Sequence, residues 1–254
     1  MKKVYVLLFV GMFLLSVLPA SVFASSDKKD DERTEAVGLF GTLLAPSIFT
    51  TAKTEKLSVS LFGRAITGEG KVPDIIDDVK NSDDVKNKIE SLQVYINGRM
   101  GGFGATIGFG QGKEFEFSQP LILSVDYKLS LLKGVPILAA AIDAQYTMIA
   151  LLDKKIDKDK ENIKVSALGF GVVSINGLVS ADLLFFLEPY AGVSLNYVYL
   201  NSKDDPFRVW KTVPKLGLKL KILPFISIGS EVTFVTNKVL NDSWIWNIGA
   251  TVRF

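Results

Sequence analysis

The final eleven residues, 244–254, constrain the fold more than any other part of this chain. Their side chains alternate between an apolar row and a mostly polar row, and the side chains of a β-strand alternate between its two faces. The apolar row is Trp244, Trp246, Ile248, Ala250, Val252 and Phe254. The other row is Ile245, Asn247, Gly249, Thr251 and Arg253. This pattern predicts a strand that separates an apolar medium from a polar one.

The same alternation recurs through the second half of the chain, in residues 121–131, 138–148, 210–222 and 226–236. Alternating segments of about ten residues are typical of strands that cross a membrane. Short apolar connections, such as Leu223-Pro224, also alternate with longer charged ones. That arrangement is expected when periplasmic turns lie at one end of a barrel and extracellular loops at the other.

The amino terminus has the features of an export signal. Lys2 and Lys3 precede an apolar run over residues 4–18, and Val22-Phe23-Ala24 forms a small-residue cleavage pattern. We therefore expect a signal peptide over residues 1–24, followed by a charged flexible leader over 25–35. Cleavage would remove two lysines and leave 27 basic and 27 acidic residues, so bulk charge gives no support for a nucleic-acid partner.

A closing strand that ends on an aromatic residue in an exported chain resembles the last strand of bacterial outer-membrane β-barrels. The resemblance implies an all-β, antiparallel, up-and-down transmembrane barrel of eight to ten strands over residues 36–254. It also implies outer-membrane lipid as the surroundings and the barrel-assembly machinery as a partner. The residues of the implied assembly signal are Trp244, Trp246, Val252 and Phe254. A secreted or periplasmic β-sandwich is the alternative fold.

The strand count depends on four stretches. Residues 36–50 and 56–66 are expected to be the first two strands. Met100-Gly101-Gly102 and Asn176-Gly177 are interpreted as bulges, which gives ten strands; if both are turns, the count rises to twelve. Residues 67–90 are expected to form a helical insert on the periplasmic side, as a solvated loop or as a plug of the barrel.

Aromatic side chains fall towards the strand ends, as in the girdles of membrane barrels. They are Tyr127, Tyr146, Tyr190, Tyr197, Tyr199, Trp210, Phe225, Trp244 and Phe254.

The candidate functional surface is the lumen, where the alternation places a set of charged side chains. They are Arg64, Arg99, Asp126, Asp143, Lys215, Lys219, Lys221 and Glu231. In one interpretation these charges pair across the lumen as a structural network, since a barrel of eight to ten strands is nearly filled by side chains. In the other, Lys215, Lys219 and Lys221 form a basic stripe that favours small anions, with Glu231 able to neutralise one of them.

The chain contains no histidine and no cysteine, which removes the commonest general base and the usual nucleophilic arrangements. We expect no enzyme, no cofactor and no metal site. The predicted function is a narrow passive channel for small solutes or ions, or a closed structural barrel. One alternative is a surface binding or adhesion module that uses loops 153–162, 201–208 and 237–242. Another is a transporter of an apolar ligand, with the inward apolar candidates Ile122, Leu184, Phe186 and Ile245.

Overall fold

The computed structural model describes residues 38–39, 41–46, 51–70, 87–112, 118–132, 137–156, 163–183, 186–200, 207–235 and 240–254. These residues contain ten β-strands. They are β1 (Glu55–Gly70), β2 (Asn87–Gly101), β3 (Phe103–Gly112), β4 (Ser118–Ser130), β5 (Leu138–Ile156), β6 (Ile163–Ala181), β7 (Leu187–Leu200), β8 (Phe207–Leu223), β9 (Ile226–Val235) and β10 (Leu240–Arg253). Among the described residues, no helix is long and apolar enough to cross a bilayer.

The strands form one closed antiparallel barrel in which each strand pairs with its neighbours in sequence. β1 closes the barrel against β10, with Ser58 opposite Arg253 and Thr67 opposite Trp244. Closure satisfies the backbone hydrogen bonds of the first and last strands, so the sheet has no free edge. The all-β barrel and its ten strands are confirmed.

The two ends of the barrel differ. Connections at one end, which we call the turn end, lie at Gly102 and at residues 131–137, 182–186 and 224–225; both Glu55 and Phe254 lie at this end. The other end is the loop end, and its five connections (71–86, 113–117, 157–162, 201–206 and 236–239) lie outside the described residues.

The count of ten strands is right for partly wrong reasons. Residues 36–50 were expected to be a strand, but residues 38–39 and 41–44 are helical and lie inside the barrel. Met100-Gly101-Gly102 is a turn rather than a bulge: Gly101 has a φ of 60°, and Met100 pairs with Phe103. The count loses the strand expected at 36–50 and gains one because the turn at Gly102 divides an expected strand into β2 and β3, so it remains ten.

Asn176-Gly177 lies within β6, in unbroken register with both neighbouring strands. The rejection of a hairpin at this position is confirmed, but the expected bulge is absent. Pairing on both sides of a central strand outweighs the local turn preference of Asn-Gly.

The insert expected at 67–90 connects β1 to β2 and therefore lies at the loop end, not at the turn end where Phe254 lies. Residues 67–70 and 87–90 belong to strands, and the helix expected between them falls outside the described residues.

The outer face of the barrel is an apolar band. In β4, Leu123, Val125 and Leu129 are exposed, whereas Ser124, Asp126 and Lys128 are buried. Aromatic side chains border the band. Those towards the loop end are Tyr146, Tyr197, Tyr199, Trp210, Phe234 and Trp244, and those towards the turn end are Phe103, Tyr127, Phe225 and Phe254. Tyr190, expected in the girdle, instead points inward and is 6% exposed.

The closing seam provides a stability prediction. A Cβ added to Gly249 would lie 2.5 Å from the main-chain oxygen of Leu61 and 2.8 Å from the Cα of Phe62, which are main-chain atoms of β1. Because the seam would have to separate, we expect Gly249→Ala to cost about 1–3 kcal/mol of unfolding free energy in a denaturant titration. Gly169→Ala is the matched control, since a Cβ there meets nothing within 4 Å. Equal stabilities of the two variants would contradict this seam geometry.

Candidate functional site: the lumen and the segment that occupies it

The lumen is occupied by the chain itself. We call residues 38–53 the lumen segment; the structure describes 38–39, 41–46 and 51–53 of it. Leu39 and Leu43 are each 1% exposed and pack in a cluster with Ile66, Val213 and Ile245. Two turns of apolar contact therefore hold the helical part against the inner wall.

A second apolar cluster surrounds the end of the helical part. Leu44 and Ala45 pack there with barrel residues that point inward. These are Phe62, Tyr95, Ile122, Ile149, Phe170, Val172, Val198 and Leu200. The helical part can approach β7 this closely only with a small residue at position 41, because a Cβ added to Gly41 would collide with the side chain of Val198. Farther along, Ala52 packs against Ala139, Ala141 and Leu178 near the turn end.

Wall side chains donate hydrogen bonds to main-chain carbonyls at the end of the helical part. Arg64 Nη1 donates to Leu43 O at 3.1 Å and to Ala45 O at 2.5 Å, and the Tyr95 hydroxyl donates to Leu44 O at 3.2 Å. The last carbonyls of a helix have no partner within the helix, and a cation there suits its dipole. The wall therefore supplies the C-terminal capping of this short helix.

Arg64 itself is 1% exposed and is held by neutral groups among the described residues. Its Nε donates to Asn247 Oδ1 at 2.9 Å, and its guanidinium lies 5.2 Å from the centroid of the Tyr95 ring. A buried guanidinium without acceptors is costly, so the carbonyls of the lumen segment stabilise this position of Arg64.

The rest of the lumen segment, which we call its descending part, has similar contacts; residues 46 and 51–53 of it are described. Gln145 Nε2 donates to Pro46 O at 3.0 Å, and Lys128 Nζ donates to Thr51 O at 2.7 Å and to Lys53 O at 3.3 Å. The described parts of the segment therefore lie at successive levels of the lumen, from Gly38 and Gly41 beside Val209 and Val198 near the loop end to residues 51–53 near the turn end.

At the turn end an ionic latch holds the segment. Lys53 pairs with Asp182, which also accepts a hydrogen bond from Lys221 Nζ at 2.5 Å; Lys221 Nζ lies 3.3 Å from Glu188 Oε2 as well. Burial alone would raise the pKa of Asp182, but hydrogen bonds from Lys221 and Lys53, together with their charges, lower it below its ordinary value of 3.8.

The latch predicts an acid-sensitive contribution to stability. Because the pKa of Asp182 is lower in the folded state, its contribution is fully present above 3.8 and is lost as the pH falls through the lowered value. We expect Asp182→Asn to be less stable than the unaltered protein at neutral pH, with a difference that shrinks towards zero in strong acid. Unfolding free energies measured across the acid range check this. A difference that keeps its size well below pH 3.8 would contradict the latch.

A buried ion cluster lies next to the descending part of the segment. Arg99 pairs with Asp126, and its Nη2 lies 3.8 Å from Asp143 Oδ2; all three side chains are at most 2% exposed. Lys128 is directly opposite Asp143 across β4 and β5. Asp126 and Asp143 thus lie among cations, in the arrangement that the structural-network interpretation predicts.

The predicted basic stripe points inward, but it does not face open water. Lys215 is 1% exposed and Lys219 is 7% exposed, while Lys221 belongs to the latch. Lys215 Nζ has no hydrogen-bond partner among the described residues. Glu231 accepts hydrogen bonds from the Tyr190 hydroxyl at 3.1 Å and from Asn247 Nδ2 at 2.9 Å.

The four residues expected to line an apolar cavity differ in where the structure places them. Ile122 and Ile245 are buried on the inner face, but they contribute to the clusters around the lumen segment rather than to an open cavity. Phe186 was expected to point inward; it lies in the turn between β6 and β7 and is 53% exposed. Leu184 lies outside the described residues.

Sequence reasoning missed the lumen segment and its donors Tyr95 and Gln145. One signal was available, because Leu39 and Leu43 are four residues apart, as on one face of a helix. Tyr95 follows the inward phase of β2, but the period-two pattern does not reveal what an inward residue contacts.

Solved structures that resemble this chain are outer-membrane β-barrels. The β domain of the Bordetella autotransporter BrkA shares 10% identity over 80% of this chain and 100% of that chain, with a TM-score of 0.49. The translocator domain of the autotransporter NalP from Neisseria meningitidis shares 13% identity (92% and 100% covered, TM-score 0.44). An outer-membrane channel from Pseudomonas putida F1 shares 8% identity (83% and 100% covered, TM-score 0.44).

No protein-family model and no curated protein matches this chain. Its own architecture defines the class: a closed ten-stranded antiparallel barrel with an apolar exterior and buried charged and polar side chains inside is a bacterial outer-membrane β-barrel. The narrower family is not identified.

Proposed function

We propose that this protein is a narrow channel of the bacterial outer membrane that its own lumen segment holds closed. The observation that carries the proposal is the set of hydrogen bonds from Arg64, Tyr95, Gln145 and Lys128 to the carbonyls of that segment. A barrel with a solid structural core needs only side chains to fill it. Here a stretch of chain fills the space, and its departure would leave a lumen lined by these polar donors and by the apolar wall residues that now pack against the segment.

The membrane surroundings follow from the exposed apolar band and its aromatic borders, which match the hydrocarbon zone and the two headgroup zones. We place the turn end in the periplasm. The outward row Trp244, Trp246 and Val252 of β10, continued by Phe254, is proposed as the surface that the barrel-assembly machinery recognises. A cleaved signal peptide over residues 1–24 belongs to the same proposal.

Small solutes would pass only after the segment moves. The inward lysines Lys215 and Lys219 would then line the path and favour anions, with Lys221 joining them if the latch opens. The proposal is of passive transport, without catalysis.

Conductance in a planar bilayer tests the proposal. We expect the unaltered protein to be closed for most of the recording and Leu39→Asp/Leu43→Asp to show sustained discrete steps, because two carboxylates cannot remain in the apolar cluster. Leu39→Met/Leu43→Met, which keeps the packing apolar, is the matched control and should stay closed. An inserted Asp variant that carries no current would favour the alternative, a closed structural barrel.

A further inference from the structure

The hydrogen bonds that wall side chains donate to the lumen segment, as described above, have a feature in common: they end on its main chain. The hydrogen bonds described above end on the carbonyl oxygens of Leu43, Leu44, Ala45, Pro46, Thr51 and Lys53. Main-chain carbonyls are present in every polypeptide. Recognition through them selects the backbone rather than a particular sequence.

The donors are distributed along the path of the segment. Arg64 on β1 and Tyr95 on β2 donate to the carbonyls of residues 43–45. Gln145 on β5 donates to the carbonyl of residue 46, and Lys128 on β4 donates to those of residues 51 and 53. Donors from several strands are therefore spaced one after another along the lumen. A chain that passes through meets one donor after another.

The sites in the lumen wall that hold side chains of the segment are apolar and small. Leu43 and Leu44 occupy two separate clusters, and Ala52 is fully buried among alanines and Leu178. The residues that form these clusters are uncharged, and they suit aliphatic or small residues. They add affinity for an apolar peptide without a strict sequence requirement.

An empty lumen would remove the carbonyl acceptors of Arg64 Nη1 and Lys128 Nζ. Arg64 and Lys128 are each 1% exposed, and buried cations need acceptors or water. Either solvent or another acceptor-rich chain must replace the carbonyls when the segment leaves. This requirement favours a polypeptide over an apolar ligand, which has no acceptors to offer.

We propose that the lumen is a binding site for extended polypeptide, with the lumen segment occupying it as an intramolecular mimic of the substrate. This inference rests on the proposed function, since it names the solute class that an opened channel would take. The occupant would be an apolar, small-residue peptide bound mainly through its carbonyl oxygens. A small anion, which could use the same cations, is the competing outcome.

The test uses full-length Leu39→Asp/Leu43→Asp in detergent and a fluorescein-labelled peptide with the sequence of residues 38–53. We expect saturable binding by fluorescence anisotropy, and binding at least tenfold weaker to the unaltered protein, in which the segment occupies the site. Gly41→Trp, whose ring cannot fit beside Val198, is a second opened variant in case the Asp variant fails to fold.

Two comparison probes identify what is recognised. A peptide with thioamides at the positions of Leu43, Leu44 and Ala45 has weaker acceptors and should bind at least tenfold more weakly. A scrambled peptide of the same composition should bind within about tenfold of the original. Displacement of the peptide by millimolar inorganic phosphate, or indifference to the thioamides, would overturn the inference in favour of an anion site or of apolar contact alone.

Binding and conductance separate the two proposals. A variant that carries current but binds no peptide would overturn the polypeptide inference and leave the channel intact. A variant that binds peptide but carries no current would overturn the channel and leave the binding site intact.

Discussion

Replacing Ile248 with arginine is expected to destabilise the inserted barrel by about 2–4 kcal/mol, the cost of a lipid-facing charge near the middle of a bilayer. Ile248 is 64% exposed on β10, on the same outward row as Trp244 towards the loop end and Phe254 at the turn end. It therefore lies near the middle of the apolar band. In a water-soluble protein, an exposed Ile→Arg change would have almost no cost.

The measurement is the folding free energy in phospholipid vesicles from a denaturant titration, compared with the unaltered protein. Leu131→Arg is the matched control: Leu131 is 52% exposed but follows the turn-end terminus of β4, so we expect a cost of at most about 1 kcal/mol there. Equal effects at the two positions would mean that the outer face does not contact hydrocarbon.

The second large effect is expected from the buried ion cluster. Arg99→Met leaves the carboxylates of Asp126 and Asp143 buried without their guanidinium partner, and breaking such a cluster typically costs about 3–5 kcal/mol. Arg99 Nη1 also donates to Gly102 O at 2.9 Å, so the change additionally loosens the β2–β3 turn.

A double variant tests whether charge is the cause. Arg99→Met/Asp126→Asn removes the cation together with the carboxylate that it pairs with, and leaves Asp143 opposite Lys128, so it should recover most of the lost stability. Unfolding titrations of the single and double variants provide the comparison. If the double variant is as unstable as the single one, lost packing of the arginine side chain explains the effect instead.

Much of the barrel wall could be predicted because its pattern is local. The outward row of residues 244–254 was assigned from alternation alone, and the exposed fractions of Trp246, Ile248 and Phe254 agree with it. Alternation requires only that one face meets lipid and the other the interior. The inward positions of Arg64, Arg99, Asp126 and Asp143 followed from the same phase.

The lumen segment could not be predicted in this way. Residues 36–50 are rich in apolar side chains, which suits a buried strand as well as a buried helix. What places the segment inside is non-local, because its carbonyls are satisfied by side chains of β1, β2, β4 and β5. A sequence window contains none of those partners.

The positions of the turns also depend on non-local pairing that a sequence window does not contain. Asn176-Gly177 has the stronger local turn preference, yet it is mid-strand, whereas Met100-Gly101-Gly102 is the turn. The difference lies in the pairing of adjacent strands, since β6 is continuous with both neighbours through Asn176. Strand length across the bilayer, rather than the dipeptide, decides where the chain reverses.

The measurement that tests the central claim most directly is a cysteine crosslink between the lumen segment and the inner wall. The chain has no cysteine, so Gly41→Cys/Val198→Cys introduces a single pair, and a Cβ at position 41 would lie 3.2 Å from the Cβ of Val198. We expect the folded protein to form this disulfide on mild oxidation, whereas Gly41→Cys/Val173→Cys, with its second cysteine on the outer face, should not. Failure of the first pair to crosslink, or equal crosslinking of both pairs, would contradict a lumen closed by residues 38–53.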